Sequence, residues 1–459
     1  MARLGQCLGI RCAWGRTPQR TEEALVEFSR GKELAARLRR VVPGGSHTYA
    51  KGDDQYPELA PALIARGQGC HVWDVDGNEF IEYGMGLRAV TLGHAYGPVV
   101  HAVRRSLERG TNFTRPAPEE LECAETFLGL VAGADMVKFT KDGSTATTGA
   151  LKLARAKTGR DRIGICAEHP FFSYDDWFIC TTTSDGGIPT LGREHTLQFH
   201  YNDLDSARAL FARFPGEIAA LILEPARIEE PAPGFLERLA SLCRAEGAAL
   251  IFDETITGFR WHRQGAQALY GVVPDLSIFG KAMANGFALS ALAGKRELMR
   301  LGSRERPEDN VFLLSTTHGA ETHALAAAKA TMDIYQREPV VEHLHRQGAR
   351  LAEGIRQASL RHGLQAQVEP VGRPCNLFFS TRDREGHPSQ PLRTLFLQEL
   401  IARGVLAPSF VVSYSHTDQD IDRTIQAIDG ALGVYALALN EGVEPYLVGP
   451  PTRLVFGRH

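Results

Sequence analysis

The stretch from Ala248 to Lys281, AALIFDETITGFRWHRQGAQALYGVVPDLSIFGK, constrains the fold more than any other part of the chain. Its first apolar run, Ala248 to Phe252, is too short for a helix and rich in Leu, Ile and Phe. It reads as a buried strand ending at Asp253. A second run, Leu276 to Phe279, ends at Gly280-Lys281. Open α/β sheets collect ligands at the carboxyl ends of their strands, so an acid and a lysine in equivalent positions can face one small molecule. A lysine amine condenses with a carbonyl to give a Schiff base, and a carboxylate can hold a ring nitrogen protonated, which together suggest pyridoxal phosphate chemistry. The two residues alone also fit a helix cap and a solvated loop lysine.

A chain of 459 residues exceeds one ordinary core, so two or more structural units are expected. Hydrophobic residues at 43% and charged residues at 23% describe a soluble globular protein, and a net charge of -3 leaves no footprint for nucleic acid. Arg37, Arg39 and Arg40 read as a solvated helix face. The 8 cysteines show no C-x-x-C spacing, so no zinc site and no disulfide scaffold are expected. No apolar run approaches the roughly 18 residues that span a bilayer, so no membrane partner is expected. Residues 1–20 carry Arg3, Arg11, Arg16 and Arg20, no acid and no continuous apolar core. They read as a disordered leader of a cytoplasmic protein, with an organellar transit peptide as the alternative.

Along the chain, Leu25, Phe28, Leu34 and Leu38 recur at helical spacing between Thr21 and Val42, with Thr21 and Glu22 as opening signals. Pro43-Gly44-Gly45 is a turn, and Asp76-Gly77 sits between alternating apolar residues as a hairpin of a small antiparallel sheet. Asp135 to Arg160 reads as strand, glycine turn and helix, an arrangement whose unpaired N–H groups and helix dipole can bind an anion. The same G-S-T is also a good helix cap. EIAALILEP is a further buried strand ending at Glu224, and Leu236, Leu239, Leu242 and Cys243 fall on one helical face. Repeated strand and helix alternation argues a mostly parallel sheet with helices on both sides. His343 and His345 lie on different faces of a helix, which argues against a metal site.

The strings DETITGFR, GAQALYGVVPDL and GKAMANGFALSALAGKREL resemble the class III aminotransferases of the pyridoxal phosphate family, and within it the glutamate-1-semialdehyde 2,1-aminomutase branch. The resemblance runs from about Pro43 to about Ile428 and implies pyridoxal 5'-phosphate as cofactor. It gives Lys281 the Schiff-base position and Asp253 the pyridinium-nitrogen position. It also assigns Gly143 and Ser144 to the cofactor phosphate, with KDGST standing where relatives have NSGTE. Phe171 takes the slot that stacks on the ring, with Phe172 second. Glu224 falls near the ring, and it also fits a structural role. Lys51 falls where a basic side chain meets the substrate carboxylate, though it also fits a loop lysine in water. Arg88 stands where these aminomutases have a small residue and reads as a specificity determinant, with Arg115 weaker. Thr317, with Thr316 second, resembles the T-x-G-G segment that reaches a partner subunit's cofactor phosphate, which implies a homodimer with a shared site.

The implied fold is α/β, a fold type I pyridoxal phosphate transferase, with a large domain built on a mostly parallel mixed sheet and a smaller α+β domain. Residues 21–105 and 331–459 would supply the small domain and 106–330 the large one. The implied reaction is transfer of an amino group between small-molecule amine and carbonyl substrates, the alternative being an intramolecular aminomutase. Aminomutases of this branch carry a glutamate in a longer segment after a P-S pair, where this chain has Phe410, Val411 and Val412 and a deletion. That departure favours transfer between molecules. A dinucleotide enzyme lacks its G-x-G-x-x-G here. Intact Lys281 and Asp253 argue against a catalytically dead homologue.

Overall fold

A computed structural model of the chain describes residues 27–189 and 191–453. The leader read at 1–20 and the signals Thr21 and Glu22 lie outside these residues. The first described helix is Ser29–Val41, with Arg37, Arg39 and Arg40 on its solvent side and Arg39 paired with Asp53.

Three short strands follow, β1 (Ile64–Gln68), β2 (His71–Asp74) and β3 (Glu79–Glu82), paired antiparallel in sequence order. Asp74 fixes the β2–β3 turn, because its Oδ1 accepts the N–H groups of Asp76 at 3.0 Å and Asn78 at 2.8 Å. Gly77 takes φ 94°, which a side chain would oppose.

The large sheet comprises β4 (Met136–Thr140), β5 (Arg162–Cys166), β6 (Thr196–Phe199), β7 (Ile218–Leu223), β8 (Ala249–Asp253), β9 (Leu276–Phe279) and β10 (Ser290–Gly294). Its spatial order is β4-β10-β9-β8-β7-β5-β6, and β10 alone runs against the others. Every residue of β7 to β10 is buried. Both faces need cover, which is why these strands read as continuous apolar runs instead of alternating ones. Along β7, Ala220 and Ile222 pack toward the helix Gly143–Thr158, while Leu221 and Leu223 pack toward Phe235–Ala245. In that second helix Leu236, Leu239 and Cys243 are buried and Leu242 is half-buried against the same cluster.

The chain then adds β11 (Pro370–Val371), β12 (Phe378–Phe379) and β13 (Val405–Leu406). β13 pairs in parallel with β3, so the small sheet is mixed, a correction to the antiparallel sheet expected from the hairpin. Two residues are too short to show a period, and only tertiary contact reveals this strand. Helices Val340–Arg361, Gln390–Ile401 and Asp418–Glu441 enclose a core that includes Ile81 and Tyr83 from the early chain. Residues near position 80 thus share a core with the segment 344–438.

His343 and His345 point to different acceptors, the carbonyls of His416 and Trp261. The described cysteines are all buried and free. Cys70, His71 and Asp420 come within 4.8 Å of one another, a trio that spacing in sequence does not reveal. Asp420 is already occupied as a helix-capping acid, accepting from Thr417, Cys70 and His71. No helix among the described residues is long and apolar enough to cross a membrane.

Candidate active site

Because β4, β5, β7, β8 and β9 run in the same direction, their carboxyl ends deliver Asp142, His169, Glu224, Asp253 and Lys281 to one edge of the sheet. Asp253 closes β8, is 6% exposed, and accepts the Thr255 N–H on Oδ1 at 2.9 Å. Burial pushes its carboxyl up, opposed by Thr255 and by the Lys281 charge. Lys281 follows β9 across Gly280 and takes φ 44°, a left-handed conformation that costs an ordinary residue on the order of 1–3 kcal/mol. The turn is locked from the far side by Asn285, whose side chain accepts from Leu92 N at 2.9 Å and donates to Gly93 O at 3.1 Å.

Burial is the main force lowering the Lys281 pKa, and among charges Arg88 acts on it most, ahead of the opposing Glu224 and Asp253. Its amine is thereby brought closer to the neutral, nucleophilic form. Glu224 is 4% exposed, its carboxyl is raised by burial against the pull of Arg227, and its Oε2 is buried without a hydrogen-bond partner. Its backbone N–H donates to His169 Nδ1 at 3.0 Å. Burial, then Arg227, drives the pKa of His169 down to about 3, so the imidazole is neutral.

The helix Gly143–Thr158 begins on this edge. Asp142 caps it, accepting Thr145 N at 2.8 Å and Thr145 Oγ1 at 3.1 Å. Ser144 is buried and its Oγ accepts the Tyr174 N–H at 3.2 Å, so its hydroxyl is shared with the core. Thr255 lies between the pieces. A Cβ on Gly143 would stand 3.3 Å from its Oγ1, and one on Gly280 would stand 3.4 Å from its Cγ2. The helix start, the segment after Asp253 and the segment before Lys281 therefore meet around one threonine, whose side chain also acts on the Asp253 carboxyl. The orphaned Oε2 of Glu224 sits where a polar group is needed to satisfy it, because buried polar atoms in folded proteins are almost always paired. An amine, two acids, the start of a helix and the unpaired Glu224 oxygen fit a phosphorylated, nitrogen-containing aldehyde.

Phe171 is 45% exposed and edges onto Phe178, whereas Phe172 is 2% exposed and packs between His169 and Phe178. Of the two rings, Phe171 is the more exposed. Arg88 is half-buried, with Nε–H donating to Asn376 Oδ1 at 2.8 Å and Nη2–H to Ser409 Oγ at 3.1 Å. Lys51 and Thr317 are exposed, and among the described residues neither has a hydrogen bond or ion pair to Lys281, Asp253, Glu224 or Arg88. Thr317 instead lines a surface cleft with Thr316, Arg115, Lys138 and Asn112, and its carbonyl accepts from Asn112 Nδ2 at 3.0 Å.

Sequence reading missed His169, Thr255, Arg227 and Arg260. Arg260 is fully buried and donates to the carbonyls of Arg88, Cys375 and Val412 and to Thr91 Oγ1. A buried Arg in a D-E-x-x-x-G-x-R string was the available signal, since such a charge needs partners wherever it lies.

A lysine and an acid at adjacent strand ends of a mostly parallel sheet, with a helix start beside them, define a fold type I pyridoxal phosphate enzyme. Residues 51–432 match the class III aminotransferase family, and the chain belongs to that family. It is 34% identical over 420 residues to the glutamate-1-semialdehyde 2,1-aminomutase of Desulfitobacterium hafniense, covering 86% of this chain and 96% of that protein. Among solved structures it resembles FumI of Sphingopyxis sp. MTA144 in its pyridoxal phosphate internal aldimine form, with TM-score 0.83 and 28% identity over 90% of this chain and 98% of the other. An omega-transaminase from Sphaerobacter thermophilus superposes with TM-score 0.79 at 25% identity, covering 88% and 97% of the two chains. Pyridoxal phosphate is accordingly the cofactor.

Proposed function

We propose that the chain transfers an amino group between two small molecules, an amine donor and a carbonyl acceptor, with Lys281 as the reacting lysine. The observation that carries this reading is the shared position of Lys281, Asp253 and Glu224 at the carboxyl ends of β9, β8 and β7. Bound pyridoxal phosphate supplies an electron-withdrawing ring that stabilises negative charge on the substrate carbon. Asp253 would hold a proton at the ring nitrogen, Phe171 would lie against the ring, and the backbone N–H groups of Gly143 and Ser144 would hold the phosphate. Lys281, kept short of full protonation by burial and by Arg88, would hold the cofactor and, once released, would carry the proton to and from the substrate carbon. Glu224 would share a hydrogen bond beside the ring through its unpaired Oε2.

Phe410, Val411 and Val412 favour transfer between molecules over rearrangement within one. All three are fully buried, and Phe410 packs against Tyr83 and Phe379, so this segment offers the substrate no carboxylate. The intramolecular aminomutase is the second reading, favoured by the 34% identity to a protein of that name. In a homodimer, Thr317 would approach the partner's cofactor phosphate and Lys51 would stand at the substrate entrance.

The Lys281→Ala protein is expected to purify without the visible absorbance of a covalently held cofactor and without turnover. Retention of that absorbance would reject the lysine assignment. Incubation with one amine and one carbonyl acceptor separates the two reactions, because transfer forms a keto or aldehyde product from the amine in amounts matched to the acceptor aminated, whereas rearrangement consumes a single substrate and needs no acceptor.

A further inference from the structure

Two residues with side chains bracket the turn after β9 in the left-handed region, Lys281 at φ 44° and Asn285 at φ 45°. The tight turn Lys281–Ala284 lies between them, and Gly286 continues beyond at φ 95°. Such a backbone is unfavourable for a lysine and persists where the surroundings impose it, whereas an asparagine tolerates it. The turn's own backbone bonds are local, from Met283 N–H to Gly280 O at 3.0 Å and from Phe287 N–H to Ala284 O at 3.1 Å. Ala282, Met283 and Ala284 are buried, but apolar packing is non-directional and does not choose the hand of a turn.

The Asn285 amide reaches past the turn. Asn285 is 7% exposed, its Oδ1 accepts the Leu92 N–H at 2.9 Å, and its Nδ2 donates to the Gly93 carbonyl at 3.1 Å. Among the described residues no other hydrogen bond joins residues 281–286 to a distant segment. The loop that Asn285 grips is itself held from other sides. Ser415 Oγ donates to Leu92 O at 2.6 Å, Tyr414 N–H to Thr91 O at 2.8 Å, and Arg260 Nη2 to Thr91 Oγ1 at 2.6 Å. Gly93 takes φ 122°, and a Cβ there would stand 2.2 Å from Ser415 Oγ, so the loop approaches Ser415 more closely than a side chain allows. One amide therefore rests the lysine turn on a pinned loop. Its donor and acceptor match neighbouring backbone groups, which fixes orientation as well as distance.

We propose that Asn285 is a positioning residue for Lys281: by bonding Leu92 and Gly93 it imposes the left-handed turn that aims the lysine amine at the cofactor aldehyde, and so sets how firmly the cofactor is held. The inference rests on the preceding reading, in which Lys281 is the reacting lysine. The linkage joins the neutral Nζ to the aldehyde carbon and releases the aldehyde oxygen as water with the two amine protons, so no oxidant or reductant takes part. Capture within a site draws its advantage from fixed geometry, and a lysine freed from its turn holds the aldehyde less firmly and less uniformly.

The test compares the cofactor-loaded parent protein with Asn285→Gly and Asn285→Asp. Glycine keeps the left-handed backbone and removes the amide, whereas aspartate keeps an acceptor for Leu92 N–H and loses the donor to Gly93 O. Two quantities are measured on each protein. The circular dichroism of the visible band divided by its absorbance reports how uniformly the cofactor is oriented, and dilution gives the pyridoxal phosphate concentration at which half the band is lost. Asn285→Gly is expected to lose most of that ratio and to release cofactor at a concentration at least about tenfold above the parent's. Asn285→Asp should fall between the two. A merely structural Asn285 would lower the urea midpoint and leave both quantities in place, and that result overturns the proposal, as do parent-like values in Asn285→Gly. Should Asn285→Gly yield no folded protein, Asn285→Asp decides: parent-like values overturn the proposal and a reduced ratio supports it. Cofactor retained covalently in Lys281→Ala would overturn the preceding reading, an outcome separate from either result at Asn285.

Discussion

The carbonyl oxygen of Pro374 lies so close to Gly348 that a Cβ on that glycine would stand 1.8 Å from it. Gly348 sits in the helix Val340–Arg361, and its missing side chain lets the turn Pro374–Asn376 press against the helix backbone. Asn376, at the end of that turn, holds Arg88. Gly348→Ala must displace the turn and is expected to cost about 1–3 kcal/mol, measured by urea denaturation. Unchanged stability in Gly348→Ala would show that the turn does not press on the helix backbone.

Asp253→Asn should fold and still take up cofactor, because the amide can accept the Thr255 N–H as the acid does. It cannot stabilise a charged ring nitrogen electrostatically, so turnover is expected to fall about 100-fold or more, as when a preorganised electrostatic group is removed. Steady-state rates with the best amine found in a screen provide the check.

Glu254 is fully buried and accepts the N–H groups of Ala266 at 2.8 Å and Gln267 at 2.6 Å, together with the Thr257 hydroxyl. Glu254→Ala strands these donors and is expected to destabilise the protein by about 3 kcal/mol, read from the denaturation midpoint. Glu254→Gln, which keeps an acceptor, should lose less.

His416 is buried and accepts the Ser413 N–H on Nδ1 at 2.9 Å, and burial holds its pKa down at about 3. The folded state therefore binds its proton less readily than the unfolded state, whose histidine titrates near 6.5. Stability rises with pH between these two values and is lost as pH falls from about 6.5 toward 3. From pH 7.5 to pH 5 this group alone should remove about 2 kcal/mol. His416→Asn should flatten that part of the profile, with denaturation at both pH values as the measurement.

If Thr317 serves the partner's phosphate, Thr317→Ala should lower cofactor affinity about tenfold, the worth of one charged hydrogen bond, while sedimentation still reports a dimer. A monomeric parent protein would rule out this role.

The strands of the large sheet were legible because burial on both faces forces a short, uninterrupted apolar run, and the residue at each run's end is fixed by counting. Asp253, Glu224 and Lys281 could therefore be named from the chain alone. The helix at Gly143 was legible for a similar local reason, a glycine and hydroxyls ahead of an alanine-rich helix. The rest depends on residues far apart in sequence. Nothing near Arg88 announces that Asn376 and Ser409 will hold it, or that the chain takes a left-handed path from Met85 to Arg88. β13 and the orphaned oxygen of Glu224 were equally hidden, since each acquires its meaning only from its neighbours. Local pattern specifies which backbone each segment can adopt, whereas the balance of charge and hydrogen bonds in a buried chamber is a property of the segments that folding brings together.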